Sequence, residues 1–178
     1  QGIGLAIAEA LAAESCHVIL HGLATPEQQE AAKAAVLAAG ALSVASHTHD
    51  LCDAGEVKKL MDAVLAGGPL DILVNNAGIQ QTAPLADLTA QVWDRILAIN
   101  LSAAFHTMRA AMPGMAARGY GRVVNIASVH GLVASVNKAP YVAAKFGLVG
   151  LSKVAALEYA SAGSREQGGV TVNCICPG

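Results

Sequence analysis

Apolar residues recur at helical spacing, without proline, through GIGLAIAEALAAE, residues 2–14, and then give way to CHVIL, a short β-branched run. The pattern predicts a helix followed by a strand. Thr25 and Pro26 supply an N-cap and a first-turn proline for a helix through PEQQEAAKAAVLAAG, which closes at Gly40. A second strand, ALSVASH, follows. The order then repeats: a helix over about 53–66, a strand LDILV, a long helix over about 89–117, a strand GRVVNIAS, a helix over about 139–159 and a strand VTVNCIC. Strands that are apolar almost throughout belong in a sheet covered on both faces, and their alternation with helices requires parallel right-handed crossovers. The expected fold is a doubly wound, Rossmann-like α/β domain with a parallel sheet.

No internal linker, repeat or low-complexity stretch divides the chain, so residues 1–178 are expected to form one domain, with SAGSREQGG a surface loop before the last strand. The chain opens at Gln1, inside a glycine turn, and stops at CPG straight after a strand. That reads as an internal piece of a longer protein, lacking a first strand and a C-terminal part. Alone, such a piece is expected to leave strands unpaired, to fold poorly and to turn over little.

The 54% hydrophobic fraction suits a compact core, while a 13% charged fraction leaves little charge to coat an isolated monomer. Contacts between subunits are expected. The net charge of −2 and the scattered basic residues provide no field for nucleic acid. Cys16, Cys52, Cys174 and Cys176 form no C-x-x-C pair and read as reduced thiols, which suits a cytoplasm. No uninterrupted apolar run reaches the roughly 18 residues of a bilayer span, so no membrane association is expected.

In a doubly wound sheet, ligands bind beyond the carboxyl ends of the strands. Gly2, Ile3 and Gly4 open a helix, where backbone N–H groups can face a pyrophosphate, although two glycines serve equally well in an ordinary turn. VNNAG, Val74 to Gly78, follows a buried strand; its asparagines can fix a loop while Gly78 lets a ligand approach. Leu23 stands where an acid for an adenosine ribose or a base for a 2′-phosphate is common. With Leu23 there and Gln1 in the glycine turn, NAD is favoured over NADP. HTHD, His47 to Asp50, has two histidines on one strand face, yet a metal site needs further ligands; a strand end with Asp50 accepting a hydrogen bond is the better account, and no metal is expected.

Tyr141 and Lys145 are four apart on a predicted helix and so share a face. A nearby ammonium favours a phenolate and brings tyrosine towards proton transfer near neutral pH. Ser128 ends a predicted strand on the same rim, and Asn100 interrupts the apolar helix segment ILAINLSAAF, where propensity alone disfavours it.

In order and spacing, GIG, NNAG, Asn100, Ser128 and YVAAK resemble the short-chain dehydrogenases/reductases over essentially the whole chain. The resemblance implies that Tyr141 is the proton-transferring residue, that Ser128 orients the substrate oxygen, that Lys145 binds the nicotinamide ribose, and that Asn100 holds a relay water. It also implies that Asp50 and Leu51 face the adenine, that Asn76, Ala77 and Gly78 lie along the adenosine side, and that Pro177 and Gly178 border the nicotinamide.

NNAGIQ, NLSAAFH and NIASVHGLVASVNK resemble more closely one group within that family, the bacterial dehydrogenases of D-3-hydroxybutyrate. There the residues matching Gln80, His130 and Lys138 bind the substrate carboxylate, in keeping with the cation and donors that a small anionic acid requires. Singly, each of the three could equally be a loop residue. The implied reaction oxidises a small 3-hydroxy acid with NAD in a homo-oligomer, a tetramer in the resembled group. The rival readings are a reductase of 3-oxoacyl thioesters or another secondary alcohol dehydrogenase, and, from another class, a nucleotide-binding protein without chemistry.

Overall fold

The computed structural model describes residues 2–164 and 166–178. Gln1, which carries part of the cofactor expectation, and Arg165 of the predicted surface loop lie outside the described residues. The described chain forms two compact units, one up to Asp50 and one from Leu51 onward.

In the first unit, helices α1 (Gly2–Ala13) and α2 (Pro26–Ala38) alternate with strands β1 (His17–His21) and β2 (Ser43–His47). Thr25 caps α2 as its position predicts: its hydroxyl accepts from the Gln28 N–H, and the Gln28 side chain accepts from the Thr25 N–H. β1 and β2 pair in parallel with Val18 opposite Val44, and Val18 packs with Ala8, Ala12 and Val36 in a small core. The helix residues facing that core are mostly alanine, so the layers lie close together. Gly40 sits at φ +114 with Ala12 O only 3.1 Å from where a Cβ would stand, which accounts for glycine there.

The second unit begins with α3 (Ala54–Ala66), capped by Asp53, whose carboxylate accepts from Gly55 N and Glu56 N. Strand β3 (Ile72–Asn75), a single 3₁₀ turn at Leu85–Asp87 and α4 (Ala90–Leu97) follow. The long helix expected over 89–117 is instead two helices. α4 passes through a π-turn at Ala98–Ser102 into α5 (Ala103–Arg118), so one extra residue is accommodated around Asn100. Strand β4 (Tyr120–Ile126), a 3₁₀ turn at Val129–Gly131, α6 (Ala139–Glu158) and β5 (Gly169–Ile175) complete the unit. The strand expected through Ser128 thus stops two residues short of it.

The sheet order is β3-β4-β5, all parallel, with Asn75, Asn125 and Cys174 in one cross-strand row. Val57 and Met61 of α3, four residues of α5 including Met112 and Met115, and Val123, Val170 and Val172 of the sheet form its core. Residues 171, 173 and 175 of β5 alternate out of that core and are exposed. Within this unit, then, the described helices cover one face of the sheet. α6 has the length and apolar composition of a bilayer span, yet its Ala144, Leu148, Ser152 and Ala155 are buried inside the unit, as in a core helix.

Candidate active site

The π-turn determines where Asn100 points. The wider backbone ring carries the Ala103 N–H to Ala98 O and leaves Asn100 only 2% exposed. Its amide clamps the loop after β3, with Oδ1 accepting from Ile79 N at 2.8 Å and Nδ2 donating to Ile79 O at 2.8 Å. A polar residue disfavoured inside an apolar helix thereby has a partner at both amide atoms. The loop it holds contains Gly78, and a Cβ on Gly78 would stand 3.4 Å from Asn100 Oδ1 and 3.6 Å from Lys145 Nζ. The expected Gly78, Asn100 and Lys145 therefore share one corner of the second unit.

Lys145 is 3% exposed, and its Nζ donates to Ile126 O at 2.7 Å. Burial pushes its pKa below the ordinary lysine range. The ammonium lies 5.7 Å from the centroid of the Tyr141 ring, one helical turn back on α6. Among the described residues, Ile126 O takes one of its three donors, which leaves capacity for the hydroxyls of a sugar.

Ser128 follows β4 and caps the Val129–Gly131 turn, its Oγ accepting from His130 N at 3.1 Å. That bond uses a lone pair of the hydroxyl and leaves its O–H as a donor. Val129 N donates to Pro177 O at 2.7 Å, tying the segment after β5 to the serine turn. Gly131 is packed so closely on α6 that a Cβ would lie 2.9 Å from both Lys145 O and Val149 Cγ2.

His130 meets the Tyr141 ring edge-on, with centroids 6.1 Å apart and planes at 87°. Its Nδ1–H faces the Val133 carbonyl at 3.4 Å, and its Nε2 lies 3.2 Å from Lys138 Nζ. In that tautomer the ammonium donates to a neutral ring, an assignment that follows from the partners on each side. Tyr141, His130 and Lys138 are thus adjacent. Gln80 is exposed and bonds Thr82 Oγ1 at 3.4 Å; among the described residues nothing joins it directly to His130 or Lys138. Its loop is nevertheless tied to them through Ala83 N donating to Asn137 O at 3.0 Å.

In the first unit, α1 begins at Gly2 with φ +66, no acid occupies its first turn, and a Cβ on Gly2 would meet nothing within 4 Å. An open, uncharged helix start suits a pyrophosphate. Ile3 and Leu23 are exposed, Leu23 at 69%. At the end of β1, His21 Nε2 donates to His49 O at 2.8 Å, and burial lowers the His21 pKa. Asp50 is exposed, while Leu51, in the second unit, packs against the core of that unit. No group of three potential metal-ligating residues converges among those described.

The short chain dehydrogenase family model matches residues 1–178. The chain belongs to this family. Its members are oxidoreductases that use nicotinamide cofactors, and the spare donors of Lys145 fit a sugar of such a group. The chain is 49% identical over its whole length to a D-beta-hydroxybutyrate dehydrogenase of Cupriavidus necator and 46% identical to another of Rhizobium meliloti, covering 66% and 67% of their lengths. It spans about two thirds of these relatives. A 3-oxoacyl-[acyl-carrier-protein] reductase of Staphylococcus aureus is 38% identical over the whole chain, which covers 70% of it. A solved metagenomic short-chain oxidoreductase in complex with NADP superposes with a TM-score of 0.89 at 35% identity, over all of this chain and 78% of that one.

The sequence reading missed the carbonyl that holds Lys145, supplied by Ile126, and the buried side chains of Thr107, Asn125 and Ser152. Asn125 was detectable as the polar residue within the apolar run RVVNIA, and its 0% exposure shows how unusual its place is.

Proposed function

We propose that the full-length protein oxidises D-3-hydroxybutyrate to acetoacetate with NAD. The observation that carries this reading is the cation beside the catalytic phenol. Lys138 Nζ lies 3.2 Å from His130 Nε2, and the His130 ring abuts Tyr141. An ammonium there has donors to spare for a carboxylate two carbons from the reacting hydroxyl. Ser128, with its O–H free to donate, orients the substrate oxygen, and Tyr141 accepts the hydroxyl proton. A bound nicotinamide supplies the hydride acceptor. Lys145 fixes the ribose and, as a neighbouring positive charge, favours proton loss from the phenol. The choice of NAD rests on the exposed, uncharged Leu23, which offers no partner to a 2′-phosphate.

The test compares NAD with NADP on 3-hydroxybutyrate, longer 3-hydroxy acids and 3-oxoacyl thioesters. Absence of NAD-linked turnover of 3-hydroxybutyrate defeats the substrate claim. The 38% identity to a thioester reductase favours a second reading, which Lys138→Ala separates from the first. With a free acid as substrate, the KM is expected to rise about 10–100-fold with kcat little changed, while a neutral secondary alcohol is unaffected. An unchanged KM for the acid would favour the thioester reading.

A further inference from the structure

Five buried or half-buried polar groups of the second unit form one connected row of hydrogen bonds. Thr107 Oγ1 on α5 donates to Asn75 Oδ1 on β3 at 2.7 Å, and Asn75 Nδ2 donates to Asn125 Oδ1 on β4 at 2.8 Å. Asn125 Nδ2 donates to Ser152 Oγ on α6 at 2.7 Å, and Ser152 donates to Leu148 O at 2.7 Å. The Cys174 thiol on β5 donates to the same Ser152 oxygen at 3.1 Å. Thr107, Asn125 and Ser152 are 7%, 0% and 3% exposed. Thr107 Oγ1 also has Ala104 O at 3.0 Å and Asn125 Nδ2 also faces Met108 Sδ at 3.5 Å, and in both cases the shorter bond is the one along the row.

The placement of this chain gives it a consequence for catalysis. Asn75 immediately precedes the loop containing Gly78, and Asn125 immediately precedes Ile126, whose carbonyl holds Lys145. The last acceptor, Leu148 O, lies one helical turn beyond Lys145 on α6. The row therefore pins β3, β4 and α6 on either side of the ammonium. Close packing holds α6 against its neighbours, and the short hydrogen bonds add a directional constraint at Ser152 that tolerates little displacement.

We propose that Thr107, Asn125 and Ser152 are positioning residues that set Lys145 over the Gly78 loop. The proposal rests on the dehydrogenase reading above. Its test uses full-length protein with Thr107→Val, Thr107→Ser and Ser152→Ala. Thr107→Val and Ser152→Ala are expected to lower kcat about 5–20-fold with the KM for the hydroxy acid within about twofold, and to displace the pH profile of kcat. Thr107→Ser, which keeps the hydroxyl, is expected to restore both. Hydrogen exchange supplies a readout independent of turnover: the Ile79 amide and the 141–149 segment should exchange faster than the rest of the unit. An inactive parent protein would defeat the dehydrogenase reading and leave the exchange experiment to decide this one. Unchanged kcat and pH profile in the two hydroxyl-deleted variants, or faster exchange spread evenly over the unit, would overturn the positioning role.

Discussion

Lys145 meets two opposed demands. The proposed mechanism calls for its charge beside Tyr141, while burial to 3% exposure disfavours that charge. The folded protein holds the lysine proton less tightly than the unfolded chain does. As pH rises through the lowered folded value towards the ordinary one of about 10.4, the unfolded chain binds more protons and stability increases. Activity moves the other way, because the ammonium is lost earlier. The alkaline limb of kcat/KM is accordingly expected below the ordinary lysine range, and a limb at or above it would contradict the burial argument. Lys145→Met is expected to lower kcat/KM by about 10²–10⁴-fold while leaving the melting temperature equal or higher, since the desolvation cost disappears with the charge. A calorimetric scan beside an assay checks both halves.

At the scale of elements, the site is assembled where regular structure is interrupted. The π-turn aims Asn100 at Ile79, and the Val129–Gly131 turn seats Ser128 and His130 against α6. The close approach at Gly131 makes this second junction sensitive. Gly131→Ala is expected to destabilise by about 1–3 kcal/mol through overpacking, and to lower kcat because the turn bearing Ser128 must shift. A variant with parental stability and rate would show that the turn is loose.

The sequence told the two interruptions apart unequally. Asn100 stood out as a polar residue in an apolar helix, so its importance was legible, but a π-turn depends on one hydrogen bond skipping a residue, and no side chain announces that. Ser128 was expected at a strand end and lies two residues past one, where the backbone leaves the strand for the Val129–Gly131 turn although Val129 N still donates to Pro177 O.

At the scale of the whole molecule, the apolar surface left by the long helices invites association. Trp93, Phe105, Phe146, Val154 and Leu157 are exposed on α4, α5 and α6, Leu157 at 78%. Single exposed apolar residues are ordinary, and the prediction of self-association rests on their recurrence along three helices. The full-length protein is expected to be an oligomer at micromolar concentration, and light scattering from a monomer would refute this.

The order of helices and strands and the shared helix face of Tyr141 and Lys145 were legible from local information. Hydrophobic period, cap residues and a four-residue helical spacing act over a single turn or strand, and the chain reports them directly. The carbonyl that holds Lys145, the tautomer of His130 facing Lys138 and the row from Thr107 to Ser152 were decided only by tertiary structure. These join residues up to 50 positions apart, as between Asn75 and Asn125. Each is a directional bond whose partners are brought together only after the sheet and helices have packed.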